Sequence, residues 1–268
     1  MRAPRVIAIA AVVVLGALVA SAVTLVANGN GAAQIVPSHL VVGPGPPTTA
    51  TGVLTFTSSA GVSVSADCAL DFATGSADVT ATASLSIVTA TVEARLVDAT
   101  VYLNVEHFAS LIGAPWVSTG SLHGPVRLDA LATALRHPDL ARLHPKARVV
   151  ASAPGAGTRT TLSFGAVHLP STANLPISLP SVAVVTAVVT TGAQGQVLAV
   201  AVHLANPSND VRVTFQVTGY NVPVSIVPPA PSEVAPLTDA RARAIFGIDA
   251  SGIVRRLGEL RRAVAKLG

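Results

Sequence analysis

Apolar and polar residues alternate strictly along much of the chain between residues 52 and 228. The stretch 76–87 is the clearest case, since every second residue is apolar and the residues between them are Ser, Thr or Asp. A period of two is typical of a β-strand that buries one face and exposes the other. The same pattern predicts further strands at 61–70, 100–105, 148–152, 158–167, 181–190, 196–204 and 211–217.

The phase of this alternation reverses at Ile87-Val88, because the apolar positions of 88–96 are one residue out of step with those of 76–87. A slip of one residue exchanges the two faces, so a bulge or a tight change of strand is predicted there. Asp98-Ala99 fits a short hairpin turn into the next strand. About nine or ten strands with short turns favour a curled antiparallel sheet or a partial barrel.

Helical patterns interrupt and follow the strands. Two patches lie at 106–112 and 127–143, and Pro138 is expected to divide the second. Helices inserted in this way cover one face or one mouth of a sheet. Residues 238–267 have apolar side chains every three to five positions, which predicts a basic amphipathic helix capped at Thr238-Asp239. It either packs on the sheet with its charged face in solvent or binds an anionic membrane surface or a partner protein.

The N-terminal segment is predicted to export or anchor the protein. Residues 6–27 carry no charge and follow Arg2 and Arg5, so they suit a transmembrane anchor. They equally suit a signal peptide cleaved after Ala22, and a buried core helix is a third interpretation. The first two place the rest of the chain outside the cytoplasm, either membrane-anchored or secreted into the periplasmic space or beyond.

The predicted fold class is α+β, mainly antiparallel β: a curled half-barrel sheet covered by short helices, with an N-terminal apolar helix and a C-terminal amphipathic helix. The corresponding segments are the signal or anchor at 1–27, a Gly/Pro-rich linker at 28–50, a β domain at 51–230 and a basic tail at 231–268. Charged residues make up only 11% of the chain and hydrophobic ones 50%, which excludes disorder of the whole chain.

The positive charge is concentrated at the two ends of the chain. Residues 6–237 hold 8 basic and 10 acidic side chains, although the whole chain has a net charge of +4. Nucleic-acid binding needs a basic stripe across the folded face, so no nucleic-acid partner is expected. A pI near 10 therefore reflects the ends of the chain and not its folded body.

Catalytic and metal-binding motifs are weak. The seven histidines are scattered without the spacing of a metal site, and neither a Gly-x-Ser-x-Gly elbow nor a glycine-rich phosphate loop occurs. No catalytic residue, metal site or cofactor is therefore predicted, and the protein is not expected to be an enzyme. Cys68 is the only cysteine, which excludes an internal disulfide; its phase favours a buried small side chain over a reactive thiol.

The apolar strand positions hold many alanines, and aromatic residues make up only 3% of the chain. A curved sheet with such small side chains cannot fill its own concavity, so inserted helices or an apolar ligand must occupy it. A genome composition rich in alanine is the alternative explanation. The candidate lining residues lie on adjacent strands, with two from covering segments: Val79, Ala81, Ala83, Leu85, Val92, Ala94, Leu96, Val101 and Leu103, then Trp116 and Leu131.

Two stretches resemble the LppX/LprG lipoproteins of actinobacteria, which are related in fold to the LolA carriers. One is residues 97–104, VDATVYLN, followed by Pro115-Trp116-Val117; the other is residues 217–229, VTGYNVPVSIVPP. The similarity covers about residues 52–230. It implies an antiparallel half-barrel wrapped over helices and enclosing a hydrophobic cavity. It also implies binding and transport of lipids or lipoglycans without catalysis. This chain departs from the family in lacking the lipobox cysteine and in adding the basic C-terminal helix.

The expected function is therefore that of an extracytoplasmic carrier whose partners are a phospholipid, glycolipid or lipoglycan and the membrane surface. The alternative is a ligand-free structural or sensory ectodomain whose basic tail binds an envelope partner protein or the membrane. An envelope hydrolase is a third class, and it would require a nucleophile, base and acid that no motif in the sequence indicates.

Overall fold

A computed structural model describes residues 41–42, 47–59, 61–85, 88–121, 128, 132, 135–136, 148–154, 158–168, 182–206, 209–246 and 249–255. Their main feature is one unclosed sheet. Its strands are β1 Val41–Val42, β2 Thr49–Ser58, β3 Val62–Asp71, β4 Ser76–Leu85, β5 Val88–Val97, β6 Thr100–Asn104, β7 Trp116–Ser121, β8 Arg148–Pro154, β9 Thr158–His168, β10 Val182–Thr191, β11 Val197–Asn206, β12 Asn209–Tyr220 and β13 Val234–Pro236. The described helices are α1 Ala109–Ile112 and α2 Asp239–Phe246. There are also 3₁₀ turns at Glu106–Phe108 and Pro231–Glu233 and a helical segment at 250–255.

The sheet consists of two meanders joined side by side. The strand order is β13-β7-β6-β5-β4-β3-β2-β12-β11-β10-β9-β8, and β1 lies off this path beside β12. Neighbours are antiparallel except for β1 on β12 and β13 on β7, which are parallel. The prediction of a mainly antiparallel sheet with few short helices is confirmed.

The register separates an apolar face from a polar face. Leu54, Ala66, Ala81 and Val92 lie side by side across β2 to β5 and define the apolar face. One residue further along each strand, hydroxyl side chains form a parallel row on the polar face, as in the 3.2 Å contact between the Thr82 and Thr91 oxygens. The alternation of the sequence therefore corresponds to two chemically distinct faces.

Two hydrophobic clusters lie along the apolar face. The central cluster spans β2–β4 and β10–β12 and includes Leu54, Val64, Ala81 and Val200. The C-terminal cluster joins β5–β7 to α2 and the 250–255 segment and includes Leu103, Val117, Ile245 and Ile253. Leu96 is partly buried and packs against both clusters, so the boundary between them lies on β5.

The phase reversal at Ile87-Val88 is the β4–β5 hairpin. Leu85 stands opposite Val88 in the register, so the chain changes strand there instead of forming a bulge. Asp98 and Ala99 have φ angles of +48° and +57° and connect β5 to β6. Two consecutive positive φ angles are the requirement of a tight hairpin turn whose twist matches the sheet, which confirms the predicted turn.

The strand β2 was not among the segments that the sequence predicted. It joins the two meanders, because it pairs with β3 on one side and β12 on the other. Gly52 interrupts its apolar pattern, and a Cβ there would lie 2.7 Å from the Gln216 carbonyl oxygen. A close backbone approach thus explains a glycine inside a strand. Both β1 and the start of β2 fall within the predicted linker at 28–50.

The prediction of one continuous helix over 238–267 is wrong in its described part. Helix α2 ends at Phe246, and Asp249 starts the next helical segment by accepting a hydrogen bond from the Gly252 amide at 2.8 Å. The predicted cap is present, since the Arg241 amide donates to Thr238 Oγ1 at 3.3 Å. Residues 1–27, Pro138 and residues 256–268 lie outside the described residues. Within the described residues, no helix is long and apolar enough to cross a membrane.

Candidate functional site

Eight of the predicted lining residues lie together on the apolar face. Val79 and Ala81 of β4 stand opposite Ala94 and Val92 of β5, and Ala94 in turn stands opposite Leu103 of β6. The full group is Val79, Ala81, Ala83, Val92, Ala94, Leu96, Val101 and Leu103. Leu131 and the side chain of Leu85 lie outside the described part of the chain.

Trp116 lies on the opposite face of the sheet, so its predicted role as a lining residue is wrong. Its neighbour in the register is Asn104, whereas Val117 and Leu103 form the apolar pair beside it. The Arg95 guanidinium lies 4.8 Å from the centre of the indole ring on the polar face. The placement follows from the alternation of β7, since the smaller Val117 occupies the apolar position.

Most of the lining residues are closed off by protein atoms. Ala81 is 0% exposed and Leu103 is 2% exposed. Ala90, Val92 and Leu96 on β5 remain half-buried, and we name these three side chains the β5 stripe. Leu96 packs against both clusters and Ala90 against the central cluster alone, while Ala94, between Val92 and Leu96 on the same face, is 3% exposed. Ala81 and Ala83 stand opposite Val92 and Ala90, so the surface beside the stripe is built from small side chains.

The central cluster is covered by Leu128, Ala132 and Leu135, which we name the central cover. The Ala132 amide donates to the Leu128 carbonyl at 2.9 Å, as in one turn of helix. Leu128 and Leu135 are buried in the cluster. These positions are four and three residues apart, so they share one helical face, as the predicted patch at 127–143 requires.

Tyr220 connects the central cover to the sheet. Its hydroxyl donates to the Val197 carbonyl at 2.7 Å and lies 3.5 Å from the Leu135 carbonyl. Burial raises the pKa of the Tyr220 phenol, so the hydroxyl keeps its proton as a donor. Sequence reasoning did not select this residue for the site. The signal available was a tyrosine in a chain with few aromatics, but an irregularity between Val217 and Gly219 puts it out of phase with the apolar positions of 211–217.

The C-terminal cluster is covered by α2. Ala242 and Ile245 of this helix are each 0% exposed and belong to the same cluster as Val117. Arg241 donates to the Pro236 carbonyl at 2.9 Å and to the Ile112 carbonyl at 3.2 Å, which ties α2 to both β13 and α1. The described part of the predicted basic helix therefore packs on the sheet.

Cys68 and the His203–Asp210 pair are two further chemically notable groups among the described residues. Cys68 is half-buried against the central cluster, and burial followed by the charges of Asp67 and Asp78 raises its pKa to about 12. It therefore stays a thiol at neutral pH. On the polar face, the His203 ring lies 2.9 Å from Asp210, whose pKa is lowered chiefly by this contact. No three metal-ligating side chains come together among the residues that the structure describes.

No protein-family model matches the chain, and no curated protein is similar to it.

Proposed function

We propose that this protein is an extracytoplasmic carrier that binds the acyl chains of a phospholipid, glycolipid or lipoglycan along the β5 stripe and performs no catalysis. The observation that carries the proposal is that Ala90, Val92 and Leu96 on the apolar face of β5 are only half-buried, and that Leu96 packs against both clusters. The alanines of β4 beside it create a shallow surface that suits a narrow, flexible chain. In this proposal the sheet curls as a half-barrel around the bound chains, as the resemblance to LppX/LprG implies.

Binding on this surface requires the central cover to move. Ala81 is 0% exposed, so a chain that reaches β4 must displace atoms that now cover it. Each buried methylene contributes roughly 0.8 kcal/mol, so two long chains offset the loss of the Leu128 and Leu135 contacts. The ligand-free protein is thus the closed form, and the stripe is the place where binding begins.

A ligand-free structural or sensory ectodomain is the second candidate, and the same burial favours it. Val79, Ala94 and Leu103 are each less than 5% exposed, as expected of a core that needs no ligand. In this alternative the basic C-terminal tail binds an envelope partner or the membrane surface. The two candidates differ in whether the β5 stripe ever contacts an acyl chain.

Native mass spectrometry of the exported full chain separates the two candidates. A carrier yields bound masses that denaturation releases as lipid. Val92→Trp fills the stripe and displaces about three methylenes, so lipid affinity falls by roughly 50-fold. Val53→Trp is the matched control, because Val53 is a half-buried valine on the polar face of β2.

Equal lipid content in the two variants would contradict the proposed site. A protein that stays free of lipid after incubation with an envelope extract would favour the ectodomain.

A further inference from the structure

The chain after β12 passes around one edge of the sheet, and we name residues 221–255 the C-terminal arm. Its first part lies against the polar face, where the Val227 carbonyl accepts a hydrogen bond from Arg95 at 3.2 Å. Its middle part, β13, pairs with the edge strand β7. Its last part, α2 with the 250–255 segment, packs on the apolar face. One continuous segment therefore contacts both faces and the edge.

On the polar face, four strands contribute to the group that holds the arm. Arg95 of β5 contacts Glu93 at 2.6 Å and Asp78 of β4 at 3.3 Å, and it stacks on Trp116 of β7. Asn104 of β6 donates to the other Glu93 oxygen at 3.5 Å. Trp116 is only 7% exposed despite its position on the polar face. The two carboxylates hold the guanidinium in the orientation in which Nη1 donates to the Val227 carbonyl.

The edge and the apolar face continue this chain of contacts. Val234 and Ala235 of β13 lie beside Trp116 and Val117, and the Leu237 amide donates to the Ser118 carbonyl at 2.8 Å. Arg241 then fixes the start of α2 through two backbone carbonyls. Along the chain, the 3₁₀ turn Pro231–Glu233 and β13 connect the Val227 contact to α2, so the two ends of the arm are joined through the pairing of β13 with β7.

We propose that the C-terminal arm is a clasp through which the Arg95 group on the polar face fixes the position of α2 on the apolar face. Helix α2 contributes Ala242 and Ile245 to the C-terminal cluster, and Leu96 packs against that same cluster, so in this proposal the clasp sets one boundary of the β5 stripe. Release of Arg95 loosens α2 without loosening the central strands. The consequence for lipid rests on the proposed function, whereas the clasp itself concerns the lipid-free protein.

Hydrogen exchange of the lipid-free full chain tests the clasp. Arg95→Gln is expected to raise amide exchange in 239–246 by roughly 10-fold, the effect of losing one hydrogen bond to a charged donor. Exchange in β2, β3 and β12 should stay unchanged, which also shows that the variant folds. Arg212→Gln is the matched control, since Arg212 is an exposed arginine that pairs with Asp210 on the polar face.

A double variant tests the coupling between the two faces. Arg95 and Arg241 share no partner, so the fold-changes of Arg95→Gln and Arg241→Gln multiply if the two residues act independently. If they hold one clasp, the fold-change in amide exchange of the double variant is smaller than that product, because the first substitution has already released the arm. A double-variant fold-change equal to the product of the two single fold-changes would overturn the proposal. So would faster exchange in all strands, or faster exchange of the arm before β13 with α2 unchanged.

Lipid binding is a readout separate from amide exchange. If α2 loosens in Arg95→Gln while the protein never binds lipid, the clasp stands and the carrier function fails. If lipid binds but α2 exchange does not change, the clasp fails and the carrier function stands.

Discussion

The two halves of the apolar face are covered in different ways. The C-terminal cluster is covered by α2, which is bonded through Arg241 to β13 and α1 and lies on an arm that pairs with β7. The described part of the central cover is Leu128, Ala132 and Leu135, and the Tyr220 hydroxyl lies 3.5 Å from the Leu135 carbonyl. In the proposed function a bound ligand displaces the central cover, whereas the C-terminal arm stays in place.

The largest effect on the free energy of unfolding is expected from a substitution in α2. Ile245→Ala empties a fully buried position between α2 and the sheet, so it should lower the free energy of unfolding by about 2–5 kcal/mol. Urea denaturation of the lipid-free protein measures this change. Arg243→Ala, on the exposed side of the same helix, should change it by less than about 0.5 kcal/mol. Equal effects of the two substitutions would show that α2 is not part of the fixed fold.

A smaller and more local effect is expected at the central cover. Tyr220→Phe leaves the buried Val197 carbonyl without its donor and should cost about 1–3 kcal/mol. Amide exchange around Leu135 should rise, while that of α2 should not. Tyr102→Phe is the control, because Tyr102 is a half-buried tyrosine on the polar face. If Tyr220→Phe loosens α2 as much as the central cover, the distinction between the two halves is wrong.

The smallest effects are expected from two aspartates of the polar face whose pKa values shift in opposite directions. Burial raises the pKa of Asp78, so the stability it contributes in acid is lost as the pH rises through that raised pKa. The His203 contact lowers the pKa of Asp210, so its contribution is present above about pH 4 and is lost as the pH falls.

Urea midpoints between pH 3 and pH 6 test these signs. Relative to the wild type, Asp78→Asn should gain stability as the pH rises, and Asp210→Asn should lose it. The Asp210 effect should remain below about 1 kcal/mol, because the Asp210 side chain is 41% exposed and solvent screens the contact. The same sign of pH dependence in both variants would contradict the assignment.

Much of the sheet could be predicted from the sequence because its strands alternate so regularly. The alternation in 76–96 identified β4 and β5 and predicted either a bulge or a tight change of strand between them, and Asp98-Ala99 identified the next turn. The strand β2 was missed because Gly52 breaks its apolar pattern for a reason that depends on the neighbouring strand. Pairing of β13 with β7 is a contact between distant segments, and no local pattern predicts it.

The candidate site was predicted in part for the same reason. Alternation placed Ala81, Val92 and Leu103 on one face, but it did not indicate which of them a cover closes. Trp116 was predicted to line the site from a covering segment, whereas it lies in β7 with its side chain on the polar face. Its position depends on Arg95 and the arm, which lie far from it in sequence. Tyr220 was missed because its role is a hydrogen bond between two segments.

The most direct test of the central claim is to locate a bound acyl chain. A fatty-acid probe with a photoactivatable diazirine on its chain is added to the full-length protein, irradiated, and mapped by peptide sequencing. If acyl chains bind along the β5 stripe, labels appear on Ala90, Val92 and Leu96, and these labels are lost when unlabelled lipid is added in excess. Labels on the polar face, or labels that excess lipid does not remove, would contradict it.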